Sequence, residues 1–287
     1  MIPSAFDYAA PATVEEALGL LSKAAADGND VKVLAGGQSL IPVMKLRMAD
    51  PSLVVDLGRI GGLSGVTDNG NSLVIGAMTP HHVMATDPLV AQHLPLLQQA
   101  AATVADPQVR HRGTFGGALV HADPAGDMPA PVLATGATFV LAGPGGERRV
   151  DAADFFQGYF TTAVEEGEIL TSIEVPKYTG WGSHYEKFTR VAQQWSIVAV
   201  AALVRVEGGG IAEARIGLTN MASTPLRATG VEAALAGAPL TVEAITAACA
   251  HADEGTEPAS DLNGDAGYRR HLAQVLATRA VLAAVGL

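Results

Sequence analysis

A pair of adjacent glycines directly after a β-type run is the feature that most constrains this sequence. The run is Val31–Leu34, and Gly36 and Gly37 follow it at once. Adjacent glycines allow positive φ and a close approach of the backbone to a ligand, so successive N–H groups can converge on one anion. A glycine pair after a strand is also an ordinary turn, and this stretch alone leaves both interpretations open. The predicted anion-binding stretch, called the first glycine loop, comprises Ala35, Gly36, Gly37, Gln38, Ser39 and Leu40.

A second stretch again contains two adjacent glycines, here after a threonine and a phenylalanine. The sequence has neither a G-x-G-x-x-G fingerprint nor the lysine of a Walker motif, so the two stretches together predict a flavin dinucleotide held by paired loops. A side chain at Gly37 or Gly116 is expected to stand between the backbone and a phosphate. The second glycine loop comprises Thr114, Phe115, Gly116 and Gly117.

Further motifs give the chain a resemblance to a known family. The segment His121–Pro129 follows the second glycine loop, and Lys45–Arg47 and Tyr268–Leu272 extend the similarity over nearly the whole chain. With these motifs the chain resembles the FAD-binding (medium) subunits of molybdenum hydroxylases of the xanthine dehydrogenase family. Within that family it is most similar to the flavoproteins of aerobic carbon monoxide dehydrogenases.

The resemblance implies an α+β fold in two domains. The first, over residues 1–176, is expected to be a two-lobed FAD-binding domain of the p-cresol methylhydroxylase/vanillyl-alcohol oxidase type, with lobes over about 1–60 and 61–176. The second, over 177–287, is expected to combine a three-stranded antiparallel sheet with helices. Its predicted strands are 185–191, 195–207 and 211–219, and its predicted helices are 226–235, 242–251 and 268–285.

The resemblance also implies partners and an electron-transfer function. In the family, a large subunit holds the molybdenum cofactor and a small subunit holds two [2Fe–2S] clusters, in a dimer of heterotrimers. The flavoprotein accepts electrons into FAD and passes them to a quinone or another acceptor, so no catalytic acid or base is expected here. Carbon monoxide is the leading substrate hypothesis for the complex, and aldehydes, purines or N-heterocycles are alternatives. A stand-alone flavin-binding module is an alternative of a different class.

Two carboxylates after the second glycine loop are candidate site residues. Asp123 and Asp127 lie four residues apart, and either could cap a helix. In the family pattern, the position that matches Asp127 contacts the sugar portion of the cofactor. A metal site formed with His121 is a third interpretation, although the ligand spacing is not that of a compact metal motif.

The predicted site also includes three residues from later parts of the chain. Trp195 is expected to lie against the flavin ring, because a large aromatic face suits that contact and its N–H keeps a polar edge; a core position is the alternative. Its context, Gln193-Gln194-Trp195, departs from the sequence common in relatives. Leu170 and Lys187 match neighbourhoods that line the cofactor in relatives. The lysine could stabilise an anionic reduced flavin or simply be exposed.

Other polar residues near the loops leave their roles open or predict no site. Arg110 and Arg112 could neutralise phosphate or face solvent. His81 and His82 have no nearby carboxylate or cysteine in the sequence, so a position on a helix surface is expected.

Charge and cysteine content exclude several classes of function. The net charge of −11 argues against nucleic acid or an anionic membrane as partner. No apolar run approaches the roughly 18 residues of a spanning helix, and the segment 1–8 has no secretory features, so a cytoplasmic protein is expected, with peripheral membrane contact through the complex as the open alternative. Cys249 is the single cysteine, which predicts that any iron–sulfur centre belongs to another chain. The glycine loops contain no histidine or cysteine for covalent flavin attachment, so a noncovalent FAD is expected.

Overall fold

The computed structural model describes residues 2–287, so Met1, the first residue of the predicted N-terminal domain, lies outside the described residues. The chain begins with a small parallel sheet of strand order β1-β3-β2, covered on one face by helix α1. The side chain of Thr13 starts α1 by accepting a hydrogen bond from the N–H of Glu16 at 3.1 Å. These elements are β1 (Asp7–Ala9), α1 (Val14–Ala26), β2 (Val31–Leu34), α2 (Leu40–Lys45) and β3 (Leu53–Asp56).

A five-stranded antiparallel sheet of order β4-β5-β10-β6-β7 follows, together with a separate two-stranded hairpin of β8 and β9. The strands are β4 (Val66–Asp68), β5 (Ser72–Gly76), β6 (Thr138–Gly143), β7 (Gly146–Asp151), β8 (Phe156–Gly158), β9 (Thr161–Thr162) and β10 (Ile169–Pro176). Prolines open most of the accompanying helices, as expected for a residue with a preset φ and no N–H to satisfy. The helices are α3 (His81–Thr86), α4 (Pro88–His93), α5 (Pro95–Thr103), α6 (Pro107–Arg112), α7 (Phe115–His121), α8 (Pro129–Thr135) and α9 (Ala152–Phe155).

The third sheet has four antiparallel strands in sequential order. It therefore has one strand more than the three that were predicted. The added strand has only two residues, too few to show an alternating pattern, and it replaces the start of a predicted helix. The elements are β11 (Gly182–Phe188), β12 (Val198–Glu207), β13 (Gly210–Thr219), β14 (Leu226–Arg227), α10 (Thr229–Leu235), α11 (Val242–Cys249) and α12 (Ala266–Val285). The predicted α+β class is confirmed.

Strand β12 lies between two apolar layers, which explains its continuous hydrophobic run. Ala199, Ala201 and Leu203 face the cluster that contains α5 and α8. The alternate residues, including Val198 and Val200, face the cluster that contains α12. The third sheet therefore packs directly on the helices of the preceding sheet, and the predicted division of the chain at residue 176 stays a prediction. No helix within residues 2–287 is both long and apolar enough to cross a bilayer.

Candidate functional site

A cleft of about 590 Å³ contains most of the residues predicted to bind a cofactor. Its volume lies within the range of roughly 300–1,000 Å³ that is typical of cofactor sites. Phe115 and Lys187 are the predicted residues that do not line it. Those on its wall are Ala35, Gly36, Gly37, Gln38, Ser39, Leu40, Thr114, Gly116, Gly117, Asp123, Asp127, Leu170 and Trp195.

The first glycine loop presents free hydrogen-bond donors to the cleft. Among the described residues, the backbone N–H groups of positions 36–39 have no hydrogen-bond acceptor. Gly37 adopts φ of 74°, a left-handed conformation that favours glycine. Ser39 precedes α2 without making a side-chain cap, so its hydroxyl is also available. Successive unpaired N–H groups of this kind form a concave anion-binding surface.

The second glycine loop differs, because three of its four N–H groups, those of Phe115, Gly116 and Gly117, already have acceptors. Phe115 donates to the carbonyl oxygen of Thr79 at 2.8 Å, and Gly116 donates to that of Ala77 at 2.8 Å. Gly117 donates to the hydroxyl oxygen of Thr114 at 3.1 Å. The expectation of two equivalent sets of free N–H groups is therefore not met. The second loop forms a wall of the cleft, and its Thr114 hydroxyl keeps a hydrogen to donate.

Close backbone packing explains the glycines at two loop positions. A Cβ on Gly36 would overlap the carbonyl oxygen of Arg112, which belongs to the segment that leads into the second loop. A Cβ on Gly116 would lie 2.6 Å from the Cβ of Ala77. We expected a side chain at Gly116 to stand between the backbone and a phosphate, whereas the structure places it against Ala77.

Asp127 lies at the centre of a buried polar cluster, which is named here the Asp127 cluster. Its Oδ1 accepts hydrogen bonds from the hydroxyls of Tyr185 at 2.9 Å and Ser196 at 3.0 Å. Its Oδ2 accepts a hydrogen bond from the ammonium of Lys187 at 2.8 Å. A carboxylate accepts about four hydrogen bonds, so Oδ2 can accept one more, and Asp127 lines the cleft. Neither Asp127 nor Asp123 caps a helix; Asp123 accepts the N–H of Ala125 at 2.9 Å in a turn.

Burial dominates the electrostatics of the Asp127 cluster. It raises the pKa of the Asp127 carboxyl, which is 5% exposed, although Lys187 and the two hydroxyls oppose this shift. It also raises the pKa of Tyr185 well above its usual value, so the phenol stays protonated and remains a donor. The Lys187 side chain is 8% exposed, so the alternative of an exposed lysine is wrong. Lys187 reaches the cleft only through Asp127, and it also donates to the carbonyl oxygen of Thr103 at 3.2 Å.

Trp195 and Leu170 supply apolar wall on different elements. Trp195 lies in the loop between β11 and β12 and is 53% exposed, so the alternative of a core position is wrong. Leu170 lies on β10 and is buried. A half-exposed indole on the wall of an apolar cleft suits stacking against a planar ring.

Sequence reasoning missed His81. It is 3% exposed and lines the cleft, whereas the expected surface position holds only for His82. Arg110 and Arg112 do not line the cleft, and Arg110 donates to the carbonyl oxygen of Val104 at 2.7 Å. Residues 2–287 contain no group of three or more side chains placed to hold a metal ion.

Comparison with known proteins defines the class of this flavoprotein. Residues 4–178 match the family described as the FAD binding domain in molybdopterin dehydrogenase. Residues 183–284 match the family described as the CO dehydrogenase flavoprotein C-terminal domain. The chain belongs to the FAD-binding medium subunits of the carbon monoxide dehydrogenase/xanthine dehydrogenase family, as the sequence motifs predicted.

Individual relatives match along their full length. The carbon monoxide dehydrogenase medium chain of Hydrogenophaga pseudoflava is 45% identical, over 99% of this chain and 98% of the relative. The glyceraldehyde dehydrogenase medium chain of Sulfolobus acidocaldarius is 37% identical, over 98% of each chain. A solved structure of carbon monoxide dehydrogenase from Hydrogenophaga pseudoflava, which lacks the Mo-pyranopterin moiety of its molybdenum cofactor, matches with a TM-score of 0.95 and 46% identity. That match covers 100% of this chain and 99% of the other.

The residues of the cleft fit FAD, the cofactor of this family. Unpaired N–H groups at positions 36–39 suit a diphosphate, because preorganised amide dipoles attract an anion within an acidic protein. Trp195 and Leu170 offer apolar surface for a ring system, and the open position on Asp127 suits a hydroxyl. The donor set, the apolar wall and the acceptor thus suit a diphosphate, a ring system and a sugar hydroxyl, all of which FAD contains.

Proposed function

We propose that this chain is the FAD-binding electron-transfer subunit of a heterotrimeric molybdenum hydroxylase. It would accept electrons from [2Fe–2S] clusters of a small partner subunit and pass them to a quinone or another acceptor. A large partner subunit would hold the molybdenum cofactor and oxidise the substrate, within a dimer of heterotrimers. The observation that carries the proposal is the set of unpaired N–H groups at positions 36–39, in a loop that lines a cleft large enough for a dinucleotide.

Each part of the cleft has a proposed task. The first glycine loop binds the diphosphate through its N–H groups and the Ser39 hydroxyl, and Thr114 and Gly117 of the second loop line the adjoining wall. Trp195 stacks on the flavin ring, and Leu170 excludes water from the wall. Asp127 accepts a hydroxyl of the sugar portion, held in place by its three buried donors.

The proposed reaction needs no acid or base from this chain for substrate chemistry. FAD suits a junction between iron–sulfur centres and a two-electron acceptor, because a flavin takes up electrons singly and can release them in pairs. The contribution of Lys187 is indirect, since its ammonium favours the charged form of Asp127 and holds the carboxylate in place. The protein supplies binding, orientation and a partly apolar wall.

Purification of the native protein tests the assembly. We expect it to be recovered with an iron–sulfur partner and a molybdenum-containing partner, and to carry about one noncovalent FAD per chain. Denaturation should release the flavin into solution, because no covalent link is expected. Recovery of the yellow protein without either partner would favour a stand-alone flavin module, and recovery without any flavin would contradict the proposal.

Carbon monoxide is the substrate that we propose for the complete complex. Two carbon monoxide dehydrogenase medium chains, at 45% and 44% identity, support it. Medium chains of glyceraldehyde dehydrogenase and nicotine 6-hydroxylase, at 37% and 36% identity, keep aldehydes and N-heterocycles as alternatives. The test is reduction of a dye by the purified complex with carbon monoxide, glyceraldehyde, xanthine or nicotine as electron donor. If the dye is reduced with one of the other donors and not with carbon monoxide, the substrate assignment is wrong, while the flavoprotein assignment stays intact.

A further inference from the structure

Asn220 directly follows β13 and bonds to two segments that supply wall residues of the cleft. Segment 195–197 contributes Trp195, and segment 123–127 contributes Asp123 and Asp127. Asn220 itself does not line the cleft, so it has no contact with a ligand there. Any effect that it has on the site must act through these two segments.

Both the backbone and the side chain of Asn220 take part in this connection. Its N–H donates to the carbonyl oxygen of Pro124 at 2.9 Å. Its side-chain amide donates to the carbonyl oxygens of Ser196 at 2.9 Å and Ile197 at 3.2 Å. Carbonyl oxygens only accept hydrogen bonds, so these two acceptors assign the NH₂ group, and not the amide oxygen, to this side. A single residue thus links position 124 with positions 196 and 197.

The direct contact between the two segments is weaker. The Ser196 N–H donates to the carbonyl oxygen of Ala125 at 3.3 Å, which is longer than a typical N–H···O hydrogen bond. The Ser196 hydroxyl donates to Asp127 at 3.0 Å. Arg269 also donates to the Ile197 carbonyl oxygen, but it joins that oxygen to α12 and not to segment 123–127. The alignment of the two segments therefore depends on the amide hydrogen bonds.

The backbone conformation of Asn220 does not by itself account for an asparagine. Its φ is 63°, in the left-handed region, which asparagine tolerates better than most residues and glycine adopts freely. A glycine would keep the backbone hydrogen bond to Pro124 but would lose both amide hydrogen bonds. What asparagine adds at this position is the pair of donors to segment 195–197.

We infer that Asn220 is a positioning residue for the flavin ring: its amide fixes segment 195–197 against segment 123–127 and so holds the Trp195 indole at the cleft wall. This inference rests on the proposed function, because it requires Trp195 to stack on the flavin ring. Trp195 lies in a loop and is 53% exposed, so packing of its own side chain constrains it little. The hydrogen bonds to the next two residues then limit where the indole can lie.

The test measures the bound flavin of the protein purified in its native assembly. Asn220→Asp keeps the shape of the side chain but replaces the NH₂ donor with an oxygen that repels both carbonyls. It should raise the dissociation rate of FAD by roughly 3- to 10-fold, and should shift flavin fluorescence and reduction potential in the same direction as Trp195→Ala. Asn220→Gly keeps the positive φ without strain, so it should give the same changes and serves if Asn220→Asp does not fold.

Two further variants separate positioning of the indole from a general loss of stability. Gln274→Glu makes the same exchange at an amide on α12 that donates to the carbonyl oxygen of Ala250 and to the Asp253 carboxylate, each at 3.0 Å. Gln274 does not line the cleft, so this control should lower stability and leave the flavin unchanged. In Asn220→Asp/Trp195→Ala there is no indole to position, so FAD should dissociate within about twofold of the rate in Trp195→Ala alone.

The outcomes distinguish the inference from the proposed function. A native assembly without FAD would refute the proposed function and the inference with it. An unchanged flavin in Trp195→Ala would remove the stacking contact and, again, the inference. If Trp195→Ala changes the flavin while the Asn220 variants match wild type, the proposed function stands and the role of Asn220 is wrong. A full further increase in dissociation when Asn220→Asp is added to Trp195→Ala would also overturn it, because the residue would then act by another route.

Discussion

The environment of Asp127 combines deep burial with three hydrogen bonds to its carboxylate. Its carboxylate is almost removed from water, yet it keeps three donors, from residues that lie 58, 60 and 69 positions further along the chain. Removal of one partner from such a buried pair typically costs about 3–5 kcal/mol, because the remaining charge is left uncompensated. The Asp127 cluster is therefore a sensitive point for both stability and the shape of the cleft.

Lys187→Met should destabilise the flavin-free chain by about 3 kcal/mol at pH 8 and by less at pH 5. Burial raises the pKa of Asp127 in the folded state above its unfolded value, and loss of the ammonium should raise it further. A raised carboxyl pKa means that stability is retained at low pH, where the group is protonated, and is lost as the pH rises through the folded-state pKa. Urea unfolding between pH 5 and pH 8 measures this dependence.

The double variant Asp127→Asn/Lys187→Met removes both charges and is the matched control. It should lose less stability at pH 8 than Lys187→Met alone, and its loss should not depend on pH in this range. An equal loss at pH 5 and pH 8 in the single variant would show that Asp127 is not the titrating partner.

Trp195→Ala should change the fluorescence or reduction potential of bound FAD, because the half-exposed indole on the cleft wall is the proposed stacking partner of the ring. Aromatic stacking contributes roughly 0.5–1.5 kcal/mol beyond area burial, so FAD affinity should also fall by up to about tenfold. The control is Val191→Ala, in the same loop and 64% exposed, which does not line the cleft. Unchanged spectra and potential in Trp195→Ala would exclude contact with the flavin.

At the scale of elements, the two glycine loops act as one unit because their backbones touch. Gly36 packs against the carbonyl of Arg112, and Gly116 packs against Ala77 on the segment after β5. The first loop keeps its donors free, while the second uses its donors to join segment 77–81. The loops therefore divide their tasks, one providing the donors and the other positioning the wall.

Gly36→Ala should destabilise the chain by about 1–3 kcal/mol and weaken FAD retention, because the added Cβ overlaps the Arg112 carbonyl and must push the loops apart. Gly61→Ala is the control, since a Cβ there meets no atom within 4 Å and its φ is not positive. Thermal unfolding and the flavin-to-protein absorbance ratio measure the two effects. Full stability and full flavin content in Gly36→Ala would contradict the close packing of the loops.

At the scale of the whole molecule, the third sheet is joined to the preceding helices through β12. Alternate residues of this strand contribute to two separate apolar clusters, so neither cluster is complete without it. The cleft gains Trp195 from the loop before β12 and Asp127 from the loop before α8. The site is therefore formed by segments from both of the matched family regions.

The isolated chain should contain no stoichiometric iron, whereas the assembled complex should contain it. Cys249 is the single cysteine and is fully buried in the cluster around α11 and α12. Burial raises the pKa of its thiol to about 11, so the thiolate that metal binding requires is disfavoured. Elemental analysis of the separated chain is the measurement, and one or more iron atoms per chain would contradict the assignment of iron–sulfur centres to a partner.

Local sequence patterns were sufficient to predict the fold class and the cofactor. The glycine pairs, the alternating or continuous apolar runs and the single cysteine depend on neighbours in the chain, so a sequence displays them directly. The short strand β14 was missed, because two residues carry no periodicity and their pairing with Gly217 and Leu218 is a long-range contact.

What the sequence by itself determined is therefore the family, the α+β class and the two loops that meet at the cleft. Only the tertiary structure decided which loop keeps its N–H groups free, that Lys187 is buried on Asp127, and that His81 faces the cleft while His82 does not. The physical reason is that hydrogen-bond satisfaction and burial are set by groups far apart in the chain. Thr79 and Phe115 must be brought together before either backbone partner is determined.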